Sequence, residues 1–172
     1  MAVVFEEVAA LEREMHVVGM GEILVTASPK AVLSCIGLGS CVAVCAYDSH
    51  AKVGGMAHIV LPQNHGLPGN NPAKFADTAM PLLFDEMIKK GGIKSRLIIK
   101  MAGGAQMTLA PGLRDTFKAG ERNLAQILLV LQRENITLAA ADTGGNVGRT
   151  VKMYIGTGQV TVKTAYGIAR EL

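Results

Sequence analysis

The segment Gly37-Leu38-Gly39-Ser40-Cys41 combines residue types and spacing that suit nucleophilic chemistry. Its two glycines permit a sharp turn and a close approach of the backbone to another group. A cysteine that opens a strand after such a turn can present its thiol and its own N–H to a cleft, where the thiolate attacks and N–H groups stabilise an oxyanion. The same pattern fits a small buried hydrophobic residue at Cys41, and this segment alone leaves both interpretations open.

The position of His58 favours the nucleophile. The sequence predicts that strands Cys41–Tyr47 and Val53–Leu61 form a hairpin closed by Asp48-Ser49-His50-Ala51. A turn centred on the middle of that segment places Cys41 directly opposite His58 on one face, with Cβ atoms about 4.5–5.5 Å apart. His58 would then accept the thiol proton and lower the pKa of Cys41. The competing interpretation is a core histidine bonded to the backbone.

The remaining pattern predicts one α+β domain over residues 16–172, preceded by an extension over residues 1–15. Further strands are predicted at Ile23–Ala27, Ala31–Ile36, Arg96–Met101, Thr137–Ala141, Val151–Ile155 and Gln159–Lys163. The extension predicts a short amphipathic helix with Val4, Val8, Leu11 and Met15 on one face.

Two main helices are predicted. The first carries apolar residues from Phe75 to Met87 and ends at Gly91-Gly92, and the second runs from about Ala119 to Glu134. Pro81 either kinks the first helix or falls in the first turn of a helix that begins near Thr78.

Composition excludes several classes of function. A net charge of +3 without a run of lysine or arginine gives no indication of nucleic-acid binding. The sequence has no apolar run long enough to span a membrane and no pattern of a secretory signal. We therefore expect a cytoplasmic protein with reduced cysteines.

Neither a metal nor another cofactor is predicted. Cys45 lies on the same strand face as Cys41, but four strand residues separate them by about 13 Å. That distance disfavours both a disulfide between them and a shared zinc ion.

Other motifs are weaker. Gly37-Leu38-Gly39 begins like a dinucleotide-binding fingerprint, but Val42 occupies the place of the third glycine. The run 138–144 resembles an aspartic-protease loop, but a second carboxylate would have to come from a symmetric dimer. We interpret Asp142-Thr143-Gly144-Gly145-Asn146 and Ala102-Gly103-Gly104-Ala105 as glycine turns, the first lining the cleft.

Taken together, the motifs resemble the CheD chemoreceptor glutamine deamidases over residues 16–165. The matching segments are Gly19-Met20-Gly21-Glu22, Gly37-Leu38-Gly39-Ser40-Cys41-Val42-Ala43-Val44, Gly55-Met56-Ala57-His58-Ile59-Val60-Leu61-Pro62, Phe75-Ala76-Asp77-Thr78-Ala79, Ala102-Gly103-Gly104-Ala105, Glu121-Arg122-Asn123 and Asp142-Thr143-Gly144-Gly145-Asn146. The resemblance implies a layered α/β sandwich of mixed β-sheets with two main helices, similar to the catalytic domain of cytotoxic necrotizing factor toxins.

The resemblance also implies the site. Cys41 and His58 match the family's nucleophile and base, and the third catalytic member is a threonine six residues before the nucleophile. This chain has Cys35 there, and a thiol is a weaker hydrogen-bond partner than a hydroxyl. Ser34, Ser40 or a backbone carbonyl are alternatives for orienting His58. Oxyanion and substrate contacts are expected from Gly39, Ser40, Gly103, Gly104 and Thr143.

The activity and partners implied are those of chemotaxis. The family deamidates glutamines on the cytoplasmic helices of methyl-accepting chemotaxis receptors, and some members are also credited with receptor methylesterase activity. Some bind a CheC-type phosphatase that competes for the active-site surface. We expect a monomer in the absence of a partner. The alternative function is a non-catalytic adaptor that binds receptors and the phosphatase through the same cleft.

Overall fold

Two five-stranded sheets lie face to face, and two helices cover the outer face of one of them. This is a computed structural model, and it describes residues 12–107 and 118–172. The strands are β1 Glu14–Val17, β2 Ile23–Thr26, β3 Ala31–Leu38, β4 Val42–Asp48, β5 Val53–Ile59, β6 Ile98–Gly103, β7 Leu138–Thr143, β8 Arg149–Tyr154, β9 Gln159–Thr164 and β10 Ala169–Glu171. The helices are α1 Ala76–Lys89 and α2 Ala119–Arg133. The predicted α+β sandwich with two main helices is confirmed.

Both sheets are mixed. The first has the order β1-β3-β8-β9-β10, and the second has the order β2-β5-β4-β6-β7. Each contains one parallel pair, β1 with β3 and β6 with β7, and its other pairs are antiparallel. The likeness to cytotoxic necrotizing factor toxins stays a prediction, as does the domain boundary at residue 16.

Strand β4 lies at the centre of the second sheet, and all seven of its residues are buried. Because side chains alternate along a strand, Val42, Val44 and Ala46 pack against the helices, whereas Ala43 and Cys45 face the other sheet. Odd-numbered positions of β4 therefore look into the space between the two sheets. This alternation decides which side of the molecule the thiol of Cys41 can reach.

The N-terminal prediction is wrong where the structure tests it. Met15, expected on a helix, lies in strand β1, which pairs in parallel with β3. Val4, Val8 and Leu11 lie outside the described residues. Strand β10 was also not predicted, because its three residues are all exposed and carry no apolar pattern.

The first helix begins at Ala76, so Pro81 lies inside it and not in its first turn. The second helix ends one residue before the predicted end. Among the described residues, the structure has no helix of sufficient length and apolar character to cross a bilayer.

Candidate active site

Strands β4 and β5 form the predicted antiparallel hairpin, but in a different register. Val42 pairs with Ile59 and Ala43 pairs with His58, so the prediction that Cys41 lies directly opposite His58 is wrong. The shift is two residues, which preserves the face. Cys41 therefore precedes β4 and lies diagonally across from His58 on the same side of the sheet, where Cα atoms are about 7–8 Å apart. An imidazole and a thiol can meet across that diagonal by side-chain rotation.

The turn explains the shift. Its loop is Ser49–Lys52, and Lys52 has a left-handed backbone with φ of 55°. The buried carboxylate of Asp48 accepts hydrogen bonds from the N–H groups of His50 and Ala51, each at 3.0 Å. Because this carboxylate binds the N–H groups two and three residues later, the centre of the loop lies one position later than predicted. When the centre of the loop moves by one residue, the partner of each paired residue changes by two positions, so His58 pairs with Ala43 and not with Cys41.

His58 is hydrogen-bonded to the loop after β1. Its Nδ1 lies 2.9 Å from the carbonyl oxygen of Val18. Its backbone N–H donates to Glu22, and its carbonyl accepts from the N–H of Gly21. Because a carbonyl can only accept, Nδ1 carries the proton and Nε2 is left as the acceptor nitrogen. Within residues 12–107 and 118–172, Nε2 makes no hydrogen bond.

Cys35 does not hold the imidazole directly. Its buried Sγ lies 3.5 Å from the same Val18 carbonyl and 3.4 Å from Sδ of Met56. Ser34 donates instead to the carbonyl of His16 at 3.3 Å. The backbone carbonyl of Val18 therefore orients His58, and sequence motifs could not identify it because any residue type supplies a carbonyl.

The loop before β4 has three consecutive carbonyls that are all bound by other elements. Those of Gly39, Ser40 and Cys41 each accept a hydrogen bond from a neighbouring element. The donors, in order, are Ala105 N at 2.9 Å, Asn123 Nδ2 at 3.0 Å and Gly104 N at 2.8 Å.

The N–H of Ser40 donates no hydrogen bond to any residue that the structure describes, and the N–H of Cys41 faces its own thiol. The C=O and N–H of one trans peptide point in opposite directions. The N–H of Ser40 therefore points away from Ala105, and the N–H of Cys41 points away from Asn123. Backbone N–H groups beside a thiol are candidate donors to an oxyanion.

The turn after β6 supports this loop from behind. Gly103 has φ of 120°, and a Cβ there would lie 2.2 Å from the carbonyl oxygen of Cys41. The buried guanidinium of Arg149 donates to the carbonyls of Gly103, Asp142 and Gly144 at 2.8–3.1 Å. Gly103 and Gly104 thus contact the nucleophile's backbone.

Thr143 and Asp142 lie further from the thiol. Thr143 pairs with Gly103, which pairs with Val42, so Thr143 is two strands or about 10 Å from the nucleophile strand. Asp142 forms ion pairs with Arg149 at 3.7 Å and with Arg170 at 2.8 Å. These arginines hold the carboxylate as an ion-pair partner, which disfavours the aspartic-protease interpretation.

The three cysteines are free thiols. Burial raises the pKa of Cys41 above its ordinary value, although its own N–H and the ammonium of Lys74 act in the opposite direction. The expected lowering by His58 is therefore wrong, because the thiol is half-buried and the imidazole is diagonal to it. Burial raises the pKa of Cys45 to about 12 and also raises the pKa of the buried Cys35. Cys41 is the most accessible of the three.

A cavity of about 500 Å³ lies at the other end of β4, lined by Cys45, Tyr47, Lys100 and Gln159 among others. Tyr47 lies six positions after Cys41, or about 20 Å along the strand, so this cavity is not where the thiol would act. No group of three or more His, Cys, Asp or Glu side chains in the described ranges is arranged to hold a metal ion.

Asn123 was part of a matching motif, but no role was predicted for it. It lies four residues before Ile127 on α2, and both side chains are fully buried. An amide on the apolar stripe of a helix was the available signal, because buried polar side chains normally have specific partners.

Comparisons with known proteins agree on one family. The family model described as CheD chemotactic sensory transduction matches residues 60–164, a segment that begins two residues after His58. A relative from Desulfitobacterium hafniense, strain DSM 10664 / DCB-2, is 49% identical over 147 residues, which is 86% of this chain and 91% of the relative. A relative from Caldanaerobacter subterraneus subsp. tengcongensis is 45% identical over 155 residues, which is 90% of this chain and 95% of the relative. Both carry the name "Probable chemoreceptor glutamine deamidase CheD".

The fold has solved counterparts. The crystal structure of the Neisseria meningitidis protein NMB0706, of the DUF152 family, superposes with a TM-score of 0.50 at 11% identity. The match covers 84% of this chain and 68% of the other. At that identity the likeness concerns the fold alone.

Proposed function

We propose that this chain, which belongs to the CheD family of chemotactic sensory transduction proteins, hydrolyses the side-chain amide of glutamines on the cytoplasmic helices of methyl-accepting chemotaxis receptors. The observation that carries the proposal is the loop before β4. It presents the thiol of Cys41 on the face of His58, beside the backbone N–H groups of Ser40 and Cys41. The names of the relatives support the substrate class.

The first step is attack on the amide. Nε2 of His58 takes the proton from the neutral thiol as Sγ of Cys41 bonds to the carboxamide carbon. The electrons of the C=O π bond move to oxygen, and the N–H groups of Ser40 and Cys41 bind that oxyanion. One such donor typically contributes about 3–4 kcal/mol. A thiol with a raised pKa needs a base in this step, which is the role of His58.

The second step releases ammonia, and the third restores the enzyme. The imidazolium donates its Nε2 proton to the amide nitrogen, the C–N bond breaks, and a thioester remains on Cys41. Water then loses a proton to Nε2 and attacks the thioester. The C–S bond breaks, glutamate leaves, and the sulfur regains its proton. The carbonyl of Val18 holds Nδ1–H throughout and stabilises the imidazolium.

Exposed apolar side chains favour a protein substrate. Met20, Ile36 and Met107 are 71%, 61% and 49% exposed. Met20 precedes Gly21, whose N–H binds the carbonyl of His58, and Met107 lies 3.1 Å from where a Cβ on Gly39 would be. Met20 and Met107 therefore form an apolar rim at the site, which suits the face of an amphipathic receptor helix.

The same rim supports the second candidate function, an adaptor that binds receptors and a CheC-type phosphatase without chemistry. Competition by such a phosphatase for this rim would also regulate an enzyme. A thiol nucleophile that cleaves the amide can in addition hydrolyse a methyl ester of glutamate, since both pass through a tetrahedral oxyanion.

The test is deamidation of a purified receptor cytoplasmic fragment. The wild-type protein should release ammonia and add about one dalton per converted glutamine, because NH₂ is replaced by OH. Cys41→Ala should abolish conversion, and Cys45→Ala, which removes a buried thiol of the same strand, should not. Binding of the fragment without any mass gain would support the adaptor and contradict the enzyme.

A further inference from the structure

Asn123 connects the loop that carries the candidate nucleophile to the segment that follows the strand of the candidate base. It is fully buried on α2, and its Nδ2 donates to the carbonyls of Ser40 and Val60, both at 3.0 Å. Ser40 immediately precedes Cys41, and Val60 follows His58 by two residues. The assignment of nitrogen at this position is secure chemically, because an amide oxygen would face two carbonyl oxygens.

The contact lies where the ladder between β4 and β5 ends. Val42 and Ile59 are its last pair, and beyond them the N–H groups of Val60 and Leu61 both turn to the carbonyl of Lys74. No backbone bond joins Ser40 or Cys41 to β5 in the described ranges. The amide of Asn123 therefore replaces the missing ladder bond.

The Ser40 carbonyl sets the direction of the Cys41 N–H, because both belong to one planar trans peptide. Holding that carbonyl toward α2 turns the N–H toward the opposite side, where an oxyanion would form. The carbonyls on either side are held by backbone N–H groups, which an alanine substitution leaves in place. Of the three contacts that hold this loop, the one from Asn123 is made by a side chain.

We infer that Asn123 is a positioning residue for the oxyanion hole, acting through the Ser40–Cys41 peptide. This inference rests on the proposed acyl transfer at Cys41. Asn123 keeps a buried Oδ1 that has no hydrogen-bond partner among the described residues. Asparagine is also a poor helix former. A residue required only for packing at this place would be apolar, whereas an amide supplies the two donors.

Two reagents that attack the same thiol separate positioning from folding. p-Nitrophenyl acetate acylates Cys41 through a tetrahedral oxyanion and releases nitrophenolate, whereas iodoacetamide alkylates it by direct displacement of iodide, without an oxyanion. For Asn123→Ala we expect acylation to slow by about 10- to 100-fold, below the loss for complete removal of a donor. Alkylation should stay within about threefold, because it depends on the thiolate alone.

The controls come from the same chain. Gln126→Ala removes another buried amide one turn later on α2, whose Oε1 accepts from Gln63, and it should leave the ratio of the two rates unchanged. Cys41→Ala gives the background from other thiols. Asn123→Asp keeps the shape of the side chain but turns an oxygen toward the two carbonyls. It should therefore lower the ratio of acylation to alkylation at least as much as Asn123→Ala does. It replaces the alanine variant in this test if that variant does not fold.

An unchanged ratio in a folded Asn123 variant, or an equal fall of both rates, would overturn the inference. If the wild-type protein deamidates no receptor fragment, the proposed function fails. The reagent ratio still decides the role of Asn123, because neither reagent requires a receptor.

Discussion

Replacing Cys35 by alanine tests how the base is oriented. The substitution removes a fully buried Sγ that lies 3.5 Å from the Val18 carbonyl, while Nδ1 of His58 keeps its 2.9 Å contact with that oxygen. Loss of one buried heavy atom and the small cavity left behind should lower the free energy of unfolding by about 1 kcal/mol. A thiol is a weak donor, so kcat for deamidation should fall by less than about threefold, or about 0.6 kcal/mol.

Cys35→Thr makes the opposite change at similar volume. Its hydroxyl donates to the Val18 carbonyl more strongly than a thiol, so kcat should hold or rise. Ammonia release from a receptor fragment measures kcat, and urea unfolding measures stability. Cys41→Ala and His58→Ala define zero activity. If Cys35→Ala is folded and as inactive as Cys41→Ala, then Cys35 is essential and the assignment of orientation to Val18 is wrong.

Two further predictions concern ionisable groups. Iodoacetamide should label Cys41 before the buried Cys35 and Cys45. The rate of labelling at Cys41 should still be rising from pH 8 to about 9.5, because burial raises the pKa of Cys41 and only the thiolate reacts. A plateau of this rate below pH 8 would contradict the prediction. Burial alone would raise the pKa of Asp48, but hydrogen bonds from Arg96 and three backbone N–H groups hold it well below its ordinary value. A carboxylate with a depressed folded-state pKa stabilises the protein above its unfolded pKa of about 4 and loses that contribution as the pH falls. Asp48→Asn should therefore lower the urea midpoint at pH 7, and its deficit relative to wild type should shrink below about pH 4; a deficit independent of pH would contradict this.

The elements of the fold were predictable because their apolar runs are short and end at glycine, proline or serine. The hairpin register was not, although both strands were placed to within two residues of their observed ends. The turn is set by Asp48, whose carboxylate binds Ile93 and Arg96 as well as the turn itself. Contacts to residues 45 and 48 positions away are invisible to local propensity. An error of two residues kept Cys41 and His58 on one face only because side chains alternate with period two.

The site was partly predictable for a related reason. Cys41 and His58 have side chains whose chemistry identifies them, whereas the partner of His58 is the backbone carbonyl of Val18. The role inferred for Asn123 depends on a bond to a carbonyl of a distant loop, and the sequence shows only a polar residue on an apolar stripe.

Deamidation through Cys41 requires a thioester between its sulfur and the substrate glutamine. During turnover of a receptor-derived peptide, acid quenching and mass spectrometry of the digested protein should find the fragment containing Cys41 heavier by the peptide less one ammonia. The adduct should be absent in Cys41→Ala, together with all conversion of glutamine. Product formation by Cys41→Ala, or by wild-type protein with the adduct on Cys35 or Cys45, would contradict the assignment of Cys41 as the nucleophile.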